Sequence, residues 1–244
     1  MPYLHSLGTV LRLIYTSILF SLRDNMKTAH LVLVLILTLP DVLMASPDTC
    51  VSNPRTQESA SQELQQLARD DQADRDDWEN MTDEQREQMG IRDLQRRQRV
   101  GALFGAGCLK TSYDYLAASL IYQHGDVPDH YYQAYLWAKR AIDSGETDAK
   151  SMIALTIDRY LVSINHKQLF GSQLFIKHIS NLCGCLEPIE EDFPDEKRIQ
   201  WSGLSLKDRY DQLQAFNEGK NCGSSFICPH DLLPTAEGTF SGIW

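Results

Sequence analysis

Three polar residues stand out of place in a stretch otherwise made for packing helices: His124, Asp158 and Arg159. They lie in residues 115–163, where small alanines (117, 118, 134, 138, 141, 149 and 154) alternate with large Leu, Ile, Tyr and Trp side chains. Aligning the two halves of that stretch at an offset of about 35 residues sets Gln123-His124 opposite Asp158-Arg159, so that stacked hairpins would bring them to one end of adjacent helices. An imidazole, a carboxylate and a guanidinium there could bind an anion through Arg159 and move a proton through His124, with Asp158 as its orienter. The same residues also fit a plain Asp158–Arg159 ion pair, with His124 capping its helix before Gly125. Spacing by itself favours that plainer reading.

The six cysteines are the second group with chemistry available to them. Cys50, Cys108, Cys183, Cys185, Cys222 and Cys228 make an even set, which in an exported chain reads as disulfides. Local spacing has Cys183 and Cys185 exchanging with Cys222 and Cys228, clamping the C-terminal region. Cys183, Cys185, Cys222 and Cys228 with His230 could instead be metal ligands. Their spacings of one and five residues miss the usual zinc pairs, so no metal and no cofactor is expected.

The elements that must position these groups are mainly helical. A polar linker is expected over 46–60, then an amphipathic helix from Ser61 to Glu79 with Leu64, Leu67, Asp71 or Gln72 and Trp78 on its stripe. Thr82-x-x-Gln85 is a capping box opening a second helix. The cations Arg96, Arg97 and Arg99 read as a solvated face near its C-terminal part, and Gly101, Gly105 and Gly107 mark its end. The small-against-large segment resembles Sel1-like or tetratricopeptide-like helical hairpins over about one and a half units. A β-hairpin is expected near 173–189, then an acidic loop from Pro188 to Arg198 and a last helix capped by Ser205 and closed by Gly219. The predicted architecture is antiparallel helical hairpins with repeat-like packing over 61–219, that small β-hairpin, and a disulfide-stapled tail over 220–244.

A further set of residues emerges by order. Asp71-Gln72 with Arg75, Gln123-His124, Asp158-Arg159, Gln168 followed by Phe170-Gly171-Ser172-Gln173, and Arg198 with Gly203-Leu204 resemble the ordered landmarks of a bacterial family catalogued as domain of unknown function 6624. The resemblance spans residues 60 to 215. Where that family usually has Tyr-Gly-Thr-Gln, this chain has Phe170-Gly171-Ser172-Gln173, which keeps the hydroxyl and loses the phenol. What the resemblance implies is a polar cluster of His124, Asp158, Arg159, Gln123, Gln168, Gln173, Gln72 and Arg75, with no reaction attached.

Composition bounds the rest. With 244 residues, 43% hydrophobic, and 33 Asp and Glu against 23 Lys and Arg, the chain is ordinary globular protein with a net charge of −10. An acidic balance excludes a nucleic-acid wrapper. Leu31–Leu39 reads LVLVLILTL between Met26-Lys27 and the small Ala45-Ser46, the pattern of a secretory signal, so residues 1–45 are expected to be a leader with the signal at 26–45. The run is too short to cross a bilayer, which takes about 20 apolar residues. The chain is thus expected in the periplasm, or held to the membrane by an uncleaved leader and by nothing else. Two functions fit: a helical binding or structural module of the cell envelope, or an enzyme or small-ligand receptor, such as a hydrolase, acting on an anionic substrate through the His/Asp/Arg/Gln cluster. The expected partner is accordingly a protein or a small anion.

Overall fold

Asn-Pro is a helix start that composition hides: Asn53 accepts from the backbone N–H groups of Arg55 and Thr56 at 3.1 and 3.5 Å, and Pro54 sets the first helical φ. The computed structural model describes residues 50–176, 183–222 and 226–244. The expected leader over 1–45 with its expected signal, and the turn of the expected β-hairpin, lie outside these. Helix α1, Pro54–Ala73, therefore begins inside the segment read as linker, and its first turns bury Ala60. Thr82 and Gln85 close their capping box and open α2, Asp83–Gly105, which runs straight through Gly101. A second capping box, Thr111 with Asp114, opens α3, Ser112–Tyr122. Helix α4, Pro128–Asp143, and α5, Lys150–Ser163, complete two consecutive helical hairpins.

The small residues do what their spacing predicts. Ala117, Ala118, Ala134, Ala138 and Ala141 are all buried, and the helices come close enough for the Ser119 hydroxyl to donate to the Ala134 carbonyl at 2.8 Å. Two apolar clusters result. One joins Leu64, Val100, Leu103, Ile121 and Trp137. The other joins Met152, Ile153, Ile157 and Leu161 to Leu169, Phe170 and Phe193. Helix α1 runs parallel to α3: Gln57 Nε2 reaches the Asp114 carboxylate (3.5 Å) near the start of both, and Asp71 meets His124 at the end of both.

Beyond α5 the expected hairpin is present but short. Strand β1, Leu174–Ile176, pairs antiparallel with β2, Gly184–Leu186, in the register Leu174↔Leu186, Phe175↔Cys185 and Ile176↔Gly184. Gly184, at the start of the return strand, lets Leu174 and the Phe216 ring come close: a Cβ there would lie 2.9 Å from Leu174 Cδ1 and 3.1 Å from the Phe216 ring. Residues 188–198, read as a loop, instead bury Ile189 and Phe193 and lead through Pro194 into α6, Asp195–Ser202. Ser205 caps α7, Leu206–Asn217, and Gly219 turns out of it at φ +75°, as predicted.

The tail is more than an appendage held by its cysteines. Cys183 pairs with Cys222 and Cys185 with Cys228, and a third disulfide, Cys50–Cys108, fixes the entry to α1. Past these clamps Phe240 and Ile243 enter the α5 core and Trp244 meets the Phe193 ring edge-on at 5.5 Å. Three disulfides suit an oxidising environment. No helix among the described residues is long and apolar enough to cross a membrane.

Candidate functional site

Helices α1 and α3, being parallel, present their carbonyl ends side by side, and four guanidiniums gather there. Arg96 donates to the Asp70 carbonyl (3.2 Å), Arg75 to that of Asp71 (2.7 Å), Arg159 to that of Gln123 (2.5 Å) and Arg97 to that of His124 (2.8 Å). Cations belong at helix C-termini, where carbonyls lack intrahelical partners. Three of the four also have carboxylates. Arg75 pairs with Asp71 and Asp93, Arg96 with Asp74 and Asp93, and Arg97 with Asp126. Arg92 completes the network on Asp74, so Asp71, Asp74 and Asp93 are matched by Arg75, Arg92 and Arg96. Arg159 has no carboxylate within ion-pair distance among the described residues.

His124 sits between these cations. Its Nδ1 lies 2.9 and 3.2 Å from the two oxygens of Asp71, which is fully buried and also accepts from Gln72 Nε2 at 2.8 Å. The Asp71 oxygens accept from Gln72 and face Arg75 as well, so the imidazole donates through Nδ1 and Nε2 presents a lone pair. Nε2 has no hydrogen-bond partner among the described residues, and the side chain is 15% exposed. Burial holds the His124 imidazole below its usual pKa. Asp71 pulls it back up, and Arg75 and Arg159 push it down again. The net lowering favours the neutral ring. Burial likewise lowers Arg159, opposed by the Tyr131 phenol and reinforced by Arg75. Tyr131 donates to the Gly125 carbonyl at 2.8 Å, which fixes it at the same helix end.

The predicted cluster thus divides. His124, Arg159, Gln123, Gln173, Arg75 and Gln72 converge, Gln123 through its carbonyl and Gln173 by accepting from Arg159 Nε at 3.1 Å. Asp158 and Gln168 do not join them. Asp158, wholly buried, accepts the backbone N–H groups of Leu169 (2.8 Å), Phe170 (3.0 Å) and Ser172 (2.8 Å), and so builds the turn through Gly171 at φ +70°. Burial raises its carboxyl and those donors pull it back down. Gln168 donates to the Gln173 and Glu187 carbonyls and accepts from the Gln173 N–H, acting as a buried rung between the turn and β2. The orienter of His124 is Asp71, and Asp158 makes no hydrogen bond to the imidazole.

Sequence reasoning missed Asp71 in that role, together with Asp93, Arg96 and Arg97. The signal was an aspartate on the buried stripe of α1, seven residues after Leu64, where water cannot satisfy it. Arg96 and Arg97, read as solvated, are 7% and 5% exposed; Arg99, which grips Glu63 through two bonds at 2.6 Å, is the one on a solvated face. A cavity of about 490 Å³ between α1 and α3, lined by Ala68, Leu116, Ala117 and Leu120, shares Gln72 with the site.

The arrangement can hold an anion against the guanidinium that lacks a carboxylate and offer it a neutral imidazole with a fixed tautomer. Comparison with protein-family models, with curated proteins and with solved structures finds no match to the chain.

Proposed function

We propose that this chain is an exported helical binding module of the cell envelope whose ligand is a small anion, taken at the shared end of α1 and α3. The observation that carries the reading is Arg159: every other guanidinium at the site has a carboxylate partner, and this one is held by the neutral oxygens of Gln123 and Gln173. A guanidinium left without a counter-charge in a partly buried site is stabilised by an incoming carboxylate or phosphate, which it binds through two parallel N–H groups. The geometry also favours a reactive version of the same site. In that version His124 Nε2 is the acid or base, Asp71 holds its tautomer, Arg159 and Arg75 steady the anion, and Gln173 positions Arg159. The periplasmic address, the cleaved leader and membership of the family catalogued as domain of unknown function 6624 belong to this proposal. They rest on the apolar run at 31–39, the disulfides, and the order of the landmarks.

Thermal unfolding with inorganic phosphate, phenyl phosphate and succinate tests it. Saturating anion at about 100 times its Kd adds roughly 2.7 kcal/mol, worth about 2–4 °C of Tm per kcal/mol in a chain of this size. At least one of the three is expected to raise the Tm of the wild type by several degrees and to leave that of Arg159→Gln unmoved. Equal shifts in both proteins, or none in either, would overturn the reading. If a substrate is turned over, full activity in His124→Ala would remove the reactive version and leave the binding one.

A further inference from the structure

A second constellation lies away from His124, across two extended segments that run side by side. Leu186 bridges Ile227 in parallel, with its N–H bonded to the Phe226 carbonyl (2.9 Å) and its carbonyl to the Cys228 N–H (2.8 Å). Residues two apart on an extended chain share a face. Cys185 and Glu187 therefore look the same way from one segment, and Cys228 and His230 from the other. They meet in pairs: Cys185 with Cys228 in the disulfide, and Glu187 Oε2 with His230 Nδ1 at 2.7 Å. The ligand atoms of Glu187, Cys228 and His230 all lie within 4.8 Å of one another, and Cys185 sulfur is bonded to one of them. Cys185, Glu187 and Cys228 are buried, and His230, 40% exposed, opens the group to solvent.

We propose that this is a redox-gated zinc site, with Cys185, Glu187, Cys228 and His230 as its four ligands once the disulfide is reduced. A dithiol supplies the two electrons and two protons that convert the Cys185–Cys228 bond into two thiols, itself becoming a disulfide. Zn²⁺ then displaces both thiol protons and the hydrogen bond between Glu187 and His230, leaving two thiolates, one carboxylate and one neutral imidazole around the ion. Two sulfurs each bound at about 2.3 Å in a tetrahedral site stand roughly 3.8 Å apart, within reach of rotation about the cysteine Cα–Cβ bonds on a fixed backbone. Thiolate and imidazole select zinc over magnesium or calcium. In the oxidised chain the sulfurs are bonded to each other, and the pair Glu187–His230 is too small a donor set to retain the ion. The site thus differs in membership from the four-cysteine set, which pairs Cys183 and Cys222 elsewhere.

The full chain is titrated with Co²⁺ and with Zn²⁺, oxidised and after reduction by a phosphine that does not itself supply thiols. The reduced chain is expected to take up one Co²⁺ with the visible absorption of a tetrahedral thiolate site, and the oxidised chain none. His230→Ala and Glu187→Gln should each raise the Kd for Zn²⁺ at least tenfold, whereas Cys183→Ser/Cys222→Ser should leave it within twofold. Should reduction unfold the chain, recovery of its helical circular dichroism on adding Zn²⁺, lost in His230→Ala, supports the site equally. Binding that is indifferent to His230→Ala, or a reduced chain that neither binds nor refolds with metal, overturns it.

Discussion

At His124 the chemistry follows from one carboxylate and two cations. Burial, Arg75 and Arg159 hold the imidazole below its ordinary pKa against the pull of Asp71. The unfolded chain thus binds a proton at pH values where the folded one does not, so stability falls as pH drops from about 6.5 through the folded pKa of His124. Stability of His124→Gln is expected to lack that part of the acid loss, measured by urea unfolding between pH 7.5 and 5. A bound anion reverses the balance by favouring the imidazolium, so anion binding should tighten across the same interval. At this scale His124 and Arg159 were legible because they are polar residues in a segment of small and large apolar ones. Asp158 was legible as unusual but not in its role. A turn eleven to fourteen residues later takes its oxygens, and nothing local announces a partner at that distance.

Among the elements, capped helices were the readable part. Thr82 with Gln85 and Ser205 with Asp208 each satisfy orphan N–H groups within three residues, so the information lies in the immediate sequence. Helix α1 was misplaced because Asn53-Pro54 serves a turn as well as it serves a helix start, and only burial of Ala60 and Leu64 decides between them. The tail was unreadable for the opposite reason. Phe240, Ile243 and Trp244 have no period, yet the core left open between α4, α5 and α6 needs them. Phe240 meets Tyr135 edge-on at 5.2 Å and is 3% exposed. Phe240→Ala is therefore expected to cost about 3–5 kcal/mol by chemical denaturation, a value out of place in a tail held by cystines alone.

For the whole molecule, parity and spacing of cysteines pointed to an oxidising environment and to the members of two of the three disulfides. Cys183 and Cys185 were expected to exchange with Cys222 and Cys228, and they do, in the pairs 183–222 and 185–228; Cys50 and Cys108, 58 residues apart, are the two cysteines left to pair with each other. Closing so long a loop removes unfolded-state entropy worth about 4 kcal/mol. Cys50→Ala/Cys108→Ala should lose about that much stability while keeping the helical spectrum, since the same region is also held by Asn53, Pro54 and the Gln57 amide on the Cys108 carbonyl at 2.8 Å.

The parallel course of α1 and α3 reaches beyond packing. Two peptide dipoles aligned in the same sense point their negative poles at one spot, and the four arginines there are largely occupied in cancelling that field. With a net charge of −10 around it, the site casts almost no attraction into solution. The anion proposed for this site would arrive against a weak headwind and be recognised on contact, through hydrogen bonds a few ångströms long. Its capture is then expected to be selective by shape and slow to begin, and added salt, by screening the acidic surface, should speed the encounter where in most anion receptors it would hinder it.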